Sequence, residues 1–331
     1  MLAGDETAVD QLIAREPGNV AALIRKADMR AHAGDERVAT AFYRAALKAA
    51  ARGPVPGDLS SQLARAEAAC QRATNRFVDY LEDKLAAAGF GPDHRPPRFQ
   101  ESIDILMGRR PAEMTLQRPR TYYYPGLPQR RYYERSEFPW AAELERQTDA
   151  IRDEVLALAG DEGRFRPYLY SDPSKPPRGD YGMIDNPDWS TVMLWEDGAP
   201  VARNAEQCPR TMEAVEKLDL VTMPKRAPCV MFSKLKARSR IPPHTGLLNV
   251  RLVCHLALVI PEGCLFRVGG EPRQWREGEL LVFDDSVEHE AINDGTEDRT
   301  VLIFEIWRPE LSAEEREAVT TIFEAIASYG G

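Results

Sequence analysis

Residues 249–260 read NVRLVCHLALVI, and the fold turns on this run. Side chains of an extended strand alternate between two faces. Asn249, Arg251, Val253 and His255 therefore share one face, and Val250, Leu252, Cys254 and Leu256 the other. The second face is apolar throughout and belongs against a core. The first carries an amide, a guanidinium and an imidazole, and burying such groups unpaired costs several kcal/mol. Inside a barrel, a face of this composition points to a ligand, and to an anionic one.

Outward from this strand the same texture recurs. TVMLW (191–195), PCVMF (228–232), LFRVG (265–269), ELLVF (279–283) and TVLIFEIW (300–307) are short runs of branched and aromatic residues between Gly, Pro, Asp and Asn turns. Many short strands with close turns predict an antiparallel sandwich or jelly roll. The tail LSAEEREAVTTIFEAIASY predicts a final helix, with Ser312 and Glu315 spaced as a capping box.

Toward the N-terminus the period changes. Ala21, Leu23, Ile24, Ala27, Ala31, Ala39, Tyr43, Ala46 and Leu47 recur at helical spacing, with Gly34-Asp35 as a break. Pro17-Gly18-Asn19 in front, small residues at 27 and 39 and Tyr43 resemble a tetratricopeptide unit of about 34 residues. A second helix pair is expected near 59–74 and 75–89. A plain helical bundle is the alternative, and either reading gives a docking or spacer module. Prolines at 92, 96, 97, 111, 119, 125, 128 and 139 then preclude any long helix, and a helix is expected from Trp140 to Ala159. The expected organisation is α+β and multidomain: a helical, tetratricopeptide-like region at 1–90, a Pro/Tyr/Arg-rich connector at 91–139 and a β domain at 140–331.

Composition bounds the function. The 331 residues suffice for a sizeable core plus a smaller module. A net charge of −9 argues against nucleic-acid binding, which calls for a basic patch. No run approaches the roughly 18 apolar residues of a membrane helix, and MLAGDETAVDQL is not read as a secretory signal. Five cysteines without CxxC spacing fit free thiols, so a cytoplasmic location is expected.

Three of the five histidines, His244, His255 and His289, fall within the β region. His244 follows the stiff Ile241-Pro242-Pro243. His289 lies in FDDSVEHE (283–290), where carboxylates could orient the imidazole, although a solvated acidic turn is the alternative. Arg299 offers a fork suited to a carboxylate. Two imidazoles suit a borderline metal, and non-haem Fe(II) oxygenases commonly add one carboxylate. That carboxylate usually sits two residues beyond the first histidine, and here the position is Gly246.

Residues 185–312 resemble the aspartyl/asparaginyl β-hydroxylase family. The likeness rests on FSKLKARSRIPPHTGLLNVRLVCHLALVIPEGC (232–264) and RVGGEPRQWREGELLVFDDSVEHEAINDGTEDRTVLIFEIWRPELS (267–312), with NAEQCPRT (204–211) and YYYPGLPQRRYYERSEFPW (122–140) in support. The resemblance implies a double-stranded β-helix and a dioxygenase using Fe(II), 2-oxoglutarate and O2 to hydroxylate an aspartyl or asparaginyl residue of a peptide or protein. It implies His244 and His289 as the iron ligands, without a ligating carboxylate, and Asp285 as a nearby carboxylate acting through water. Ser233 and Arg299 match positions that hold the distal carboxylate of 2-oxoglutarate, His255 the other end of the cosubstrate, and Arg251 a pocket arginine that meets cosubstrate or substrate. Some members carry tetratricopeptide repeats, so a protein partner through the helical region is a further expectation. Val253 stands where aspartyl-hydroxylating members carry a second arginine. Alternatives left open are a free amino acid or other small molecule as substrate, or a non-catalytic adaptor with a degenerate barrel.

Overall fold

The computed structural model describes residues 2–53, 57–112, 115–160, 163–171, 182–224 and 226–329. They form two compact units, one built on residues 1–84 and one holding 85–169 and 181–327.

The first unit is helical: α1 (Leu2–Arg15), α2 (Val20–His32), α3 (Glu36–Ala50) and most of α4 (Ser60–Ala87). Asn19 caps α2 by accepting from the Ala22 N–H at 3.0 Å, and Asp35 caps α3 by accepting from Val38 at 3.2 Å. Leu23, Ile24 and Ala27 of α2 share one apolar cluster with Ala39, Phe42, Tyr43 and Ala46 of α3. The expected second helix pair is instead the single helix α4. No Gly or Pro occurs between residues 60 and 87, so nothing breaks the chain near residue 74.

In the second unit α5 (Pro97–Leu106) precedes a chain of antiparallel strands. These are β1 (Tyr132–Tyr133), β2 (Arg166–Pro167), β3 (Trp189–Glu196), β4 (Ala199–Pro200), β5 (Val230–Leu235), β6 (Ser239–His244), β7 (Arg251–Val259), β8 (Cys264–Val268), β9 (Glu271–Arg273), β10 (Leu280–Phe283), β11 (His289–Asn293) and β12 (Arg299–Trp307). The larger sheet runs β1-β10-β7-β12-β5-β3-β2, with β4 beside β3, and the smaller runs β6-β11-β8-β9. The segment at 91–139 therefore supplies both a helix and an edge strand.

The alternation expected for 249–260 is what the packing shows. Leu252, Cys254, Leu256 and Leu258 join Phe232, Leu302 and Phe304 on the outer face of the larger sheet. There they meet α6 (Ala141–Arg146), α7 (Thr148–Ala159) and, after the short α8 (Ala202–Ala205), α9 (Pro209–Val215), through Leu144, Ile151, Val155 and Met212. Val253, Ala257, Met231, Val301 and Ile303 of the opposite face pack on Ile241, Phe266, Val268 and Ala291 of the smaller sheet. The second unit is thus a β-sandwich with helices on one outer face.

The helix expected over 140–159 is divided at Gln147, where the Thr148 hydroxyl donates to the Glu145 carbonyl at 2.7 Å. Helix α10 (Ala313–Ser328) carries the expected capping box: Glu315 N–H donates to Ser312 Oγ at 3.2 Å, and Ser312 N–H to Glu315 Oε2 at 2.9 Å. No helix among the described residues is long and apolar enough to cross a membrane.

Candidate active site

Strand β6 carries Pro242 and Pro243, and proline cannot donate to a ladder. It accordingly lies at the edge of the smaller sheet and pairs only with β11. That pairing sets His244 directly opposite His289, with ring centroids 4.2 Å apart. The acidic run before His289 forms a tight turn, and the histidine itself opens β11.

Each imidazole is turned by its own backbone. His244 Nδ1 lies 2.8 Å from the Pro242 carbonyl, and His289 Nδ1 lies 3.0 Å from the Val287 carbonyl. A carbonyl can only accept, so Nδ1 carries the proton and both Nε2 atoms are left as acceptors. Burial lowers the pKa of His244, and burial together with His244 brings His289 down to about 3. Both rings are neutral near pH 7.

Gly246 explains the missing carboxylate. A Cβ at this position would stand 2.8 Å from Asp285 Oδ1 and deeper still against Cγ and Oδ2. The Asp285 carboxylate fills the space that a side chain on residue 246 would need. Asp285 is buried, accepts from Arg251 Nη2 at 3.0 Å and leaves Oδ1 without a partner. Burial raises its pKa, against the lowering influence of Arg251. Arg251 also pairs with Glu305, so two carboxylates hold its guanidinium.

Deeper between the sheets the site changes character. Arg299 is 1% exposed, its Nε and Nη1 have no partner, and its guanidinium lies 4.9 Å above the Trp275 ring. Burial pulls its pKa down to about 10. His255 stacks on the same indole at 6.0 Å, and its Nδ1 is likewise unpartnered. Burial holds His255 well below the usual imidazole range, with Arg299 and His289 adding to it. Ser233 is fully buried on the adjoining strand β5 and accepts from Trp189 Nε1 at 3.1 Å, which leaves its hydroxyl proton to donate.

The structure therefore brings His244, His289, Asp285 and Arg251 to one end of the sandwich interior. His255 and Arg299 lie farther in, joined by Trp275, with Phe266 and Phe283 packed around His255. Val253 adds only a buried aliphatic wall.

Sequence reasoning missed Trp275 and the groups that brace the 284–289 turn. Asp284, fully buried, accepts from Gln117 Nε2 and Arg308 Nη1 at 2.7 Å each and from the Ser286 hydroxyl at 2.6 Å. A lone tryptophan in the polar stretch EPRQWREG was a readable signal, whereas Gln117 lies far away in sequence and carried none. An open cavity of about 560 Å³, lined partly by Trp195, Leu220 and Trp307, contains none of the site residues. It adjoins the Trp307 end of β12, roughly 27 Å along the strand from Arg299. Among the described residues no group of three or more His, Cys, Asp or Glu is placed to hold one metal ion.

The sandwich thus has a paired-imidazole mouth and, in its interior, one buried guanidinium with two unpartnered nitrogens beside a neutral imidazole, an arrangement suited to a buried polar ligand. The chain belongs to the aspartyl/asparaginyl β-hydroxylase family, whose model matches residues 145–309. The mouse aspartyl/asparaginyl β-hydroxylase is 35% identical over 181 residues, which is 54% of this chain and 23% of that protein. Human aspartate β-hydroxylase domain-containing protein 2 is 32% identical over 257 residues, covering 76% of this chain and 66% of that one. The chain thus spans less than a quarter of the length of the mouse hydroxylase. KdgF from Halomonas superposes on 38% of this chain and 84% of its own, at 11% identity and a TM-score of 0.24, a likeness too weak to bear on the fold.

Proposed function

We propose that the chain is an Fe(II)- and 2-oxoglutarate-dependent hydroxylase with a double-stranded β-helix core, acting on a C–H bond of an aspartyl or asparaginyl residue in a peptide or protein. The observation that carries this reading is the His244–His289 pair, two neutral rings with both Nε2 atoms left as acceptors beside a carboxylate that fills the space at Gly246. Family membership supports it.

The residues present fit both groups. His244 and His289 would hold the iron, and the carbonyl bonds at Nδ1 would fix their rings. Arg299 and Ser233 would hold the distal carboxylate of 2-oxoglutarate. A buried guanidinium with two unpartnered nitrogens is costly alone and favourable with an anion, and Trp275 already backs its face. His255 would meet the same molecule through its unpartnered edge. Bound iron, with 2-oxoglutarate and O2, supplies the oxidant for C–H hydroxylation and leaves succinate and carbon dioxide.

The chain's own groups supply positioning. With Oδ2 held by Arg251, Asp285 would act beside the metal through a water accepted at its free Oδ1 rather than as a ligand. Val253, Phe266 and Phe283 keep bulk solvent from the interior. Residues 1–90 would serve as a docking or spacer module for a protein partner.

The test is succinate formation from 2-oxoglutarate in air with Fe(II) and a panel of aspartyl and asparaginyl peptides, with mass spectrometry for a +16 product. Succinate from the wild type, abolished in His244→Ala and His289→Ala, supports the proposal. No succinate with any member of the panel refutes it.

A further inference from the structure

The loop between β9 and β10, QWREGE at 274–279, turns one side chain inward. Gln274, Arg276 and Glu277 are exposed, whereas Trp275 is 5% exposed. The loop is pinned to β7: Gly278 N–H donates to the Ala257 carbonyl at 2.9 Å, and Ala257 N–H donates to the Glu279 carbonyl at 3.2 Å. Ala257 lies two residues beyond His255 and on the same face of that strand. The indole is therefore delivered beside His255 by the backbone that carries it.

A buried indole is ordinarily anchored through its N–H, yet Trp275 Nε1 has no partner. The ring is held by what packs against it. The Arg299 guanidinium lies 4.9 Å from its centroid, the His255 ring 6.0 Å away at an interplanar angle of 23°, and Phe266 5.0 Å away at 33°. Among the described residues no carboxylate pairs with Arg299, and two of its nitrogens lack any partner. The indole face thus supplies the electrostatic support that a counter-ion would otherwise give a buried cation. Among the described residues the ring contacts of Trp275 do not include His244 or His289. Trp275 therefore touches two groups of the anion site and neither member of the histidine pair.

Resting on the proposed hydroxylase reading, we infer that Trp275 is a positioning residue for the cosubstrate, its indole holding the Arg299 guanidinium and the His255 ring in the orientation that receives 2-oxoglutarate. An arginine side chain is long and rich in rotamers, and ordering it only when a ligand arrives weakens binding. A guanidinium already fixed against a rigid ring loses less. A cation held against a π face also keeps its N–H groups for the ligand, because the ring accepts none of them as a carboxylate would. By touching Arg299 and His255 together, the one ring ties the two ends of the cosubstrate site to each other.

The experiment compares the wild type with Trp275→Leu, Trp275→Met and Trp275→Phe in the full chain. Calorimetry follows Mn(II) alone and then 2-oxoglutarate in the Mn(II)-loaded protein, and succinate release with Fe(II) gives KM and kcat for 2-oxoglutarate. Trp275→Leu should keep its Mn(II) affinity within about twofold and bind 2-oxoglutarate about tenfold or more weakly, the span of a desolvated cation–π contact. It should raise KM for 2-oxoglutarate far more than it lowers kcat. Trp275→Phe keeps a π face and should recover part of the loss. Trp275→Met fills the gap without one, and it takes the place of Trp275→Leu should that variant not fold. Wild-type affinity for 2-oxoglutarate in the apolar variant, an equal loss of Mn(II) and 2-oxoglutarate, or a phenylalanine variant no better than the apolar one would overturn the proposal. No binding of 2-oxoglutarate by the wild type defeats the hydroxylase reading and this inference with it, whereas wild-type binding that the Trp275 variants share defeats the inference alone.

Discussion

Gly246→Ala is a small change with a large expected cost, because the new Cβ would stand 2.8 Å from Asp285 Oδ1 and closer to Cγ and Oδ2. Gly246 does not have a left-handed φ, so its backbone suits alanine and the whole penalty comes from the contact. Ordinary contact needs about 3.5 Å, so the carboxylate must retreat by roughly 0.7 Å or more. Retreat draws Oδ2 away from Arg251 Nη2, now at 3.0 Å, in a site where Asp285 is only 6% exposed. Depriving a buried charge of its partner costs about 3–5 kcal/mol when complete. The unfolded chain returns about 0.4–1 kcal/mol for Gly→Ala. The expected net loss is about 2–4 kcal/mol. With Asp285→Ala in place the obstructing atoms are gone, and Gly246→Ala should then be neutral or stabilising by up to about 1 kcal/mol. Urea unfolding of the four metal-free proteins, followed by tryptophan fluorescence, closes this cycle. The same cost in both backgrounds would refute the claim that Asp285 occupies the space at Gly246.

Arg299→Met should stabilise the metal-free protein by about 1–3 kcal/mol, since an unpaired buried guanidinium is replaced by an apolar chain, and should raise the 2-oxoglutarate requirement at least about tenfold; urea unfolding and succinate release check the two parts. Burial keeps the folded His255 well below its ordinary 6.5. As pH falls through 6.5 the unfolded chain takes the proton first, so stability is full above that pH and declines below it by up to about 1.4 kcal/mol per pH unit. His244 and His289, also lowered by burial, add to the same slope, so His255→Phe should remove its own share of it in metal-free protein, and an unchanged slope would count against the assignment. Ser312→Ala removes the cap of α10 and should cost about 1 kcal/mol in urea unfolding.

The strands were legible wherever burial on both faces or clean alternation left a mark. NVRLVCHLALVI told its two faces apart correctly because β7 lies in mid-sheet with helices on one side and a second sheet on the other. Strand β6 was not legible as a strand, since Ile241-Pro242-Pro243 read only as a stiff stretch, and its edge position alone makes the prolines tolerable. For His289 the sequence left a solvated acidic turn open as the alternative, because the turn and β11 share no boundary residue of a distinctive kind. The histidines themselves stood out by their rarity. Their facing arrangement depends on the β6–β11 register, and that register is fixed by residues distant in sequence. The commitment of Arg251 to Glu305 and Asp285 belongs to the same class, because strand pairing across 54 residues is not written in either neighbourhood. In the helical unit the caps at Asn19 and Asp35 were readable, whereas the continuity of α4 was lost to a repeat pattern that its sequence does not support.

The central claim, that His244 and His289 hold iron beside a 2-oxoglutarate site, is tested most directly by anaerobic titration of Fe(II) into the protein with 2-oxoglutarate while recording the visible spectrum. A weak charge-transfer band that saturates near one Fe(II) per chain, and that disappears in His289→Ala, is the predicted result. No band in the wild type, or a band of equal strength in His289→Ala, would contradict it.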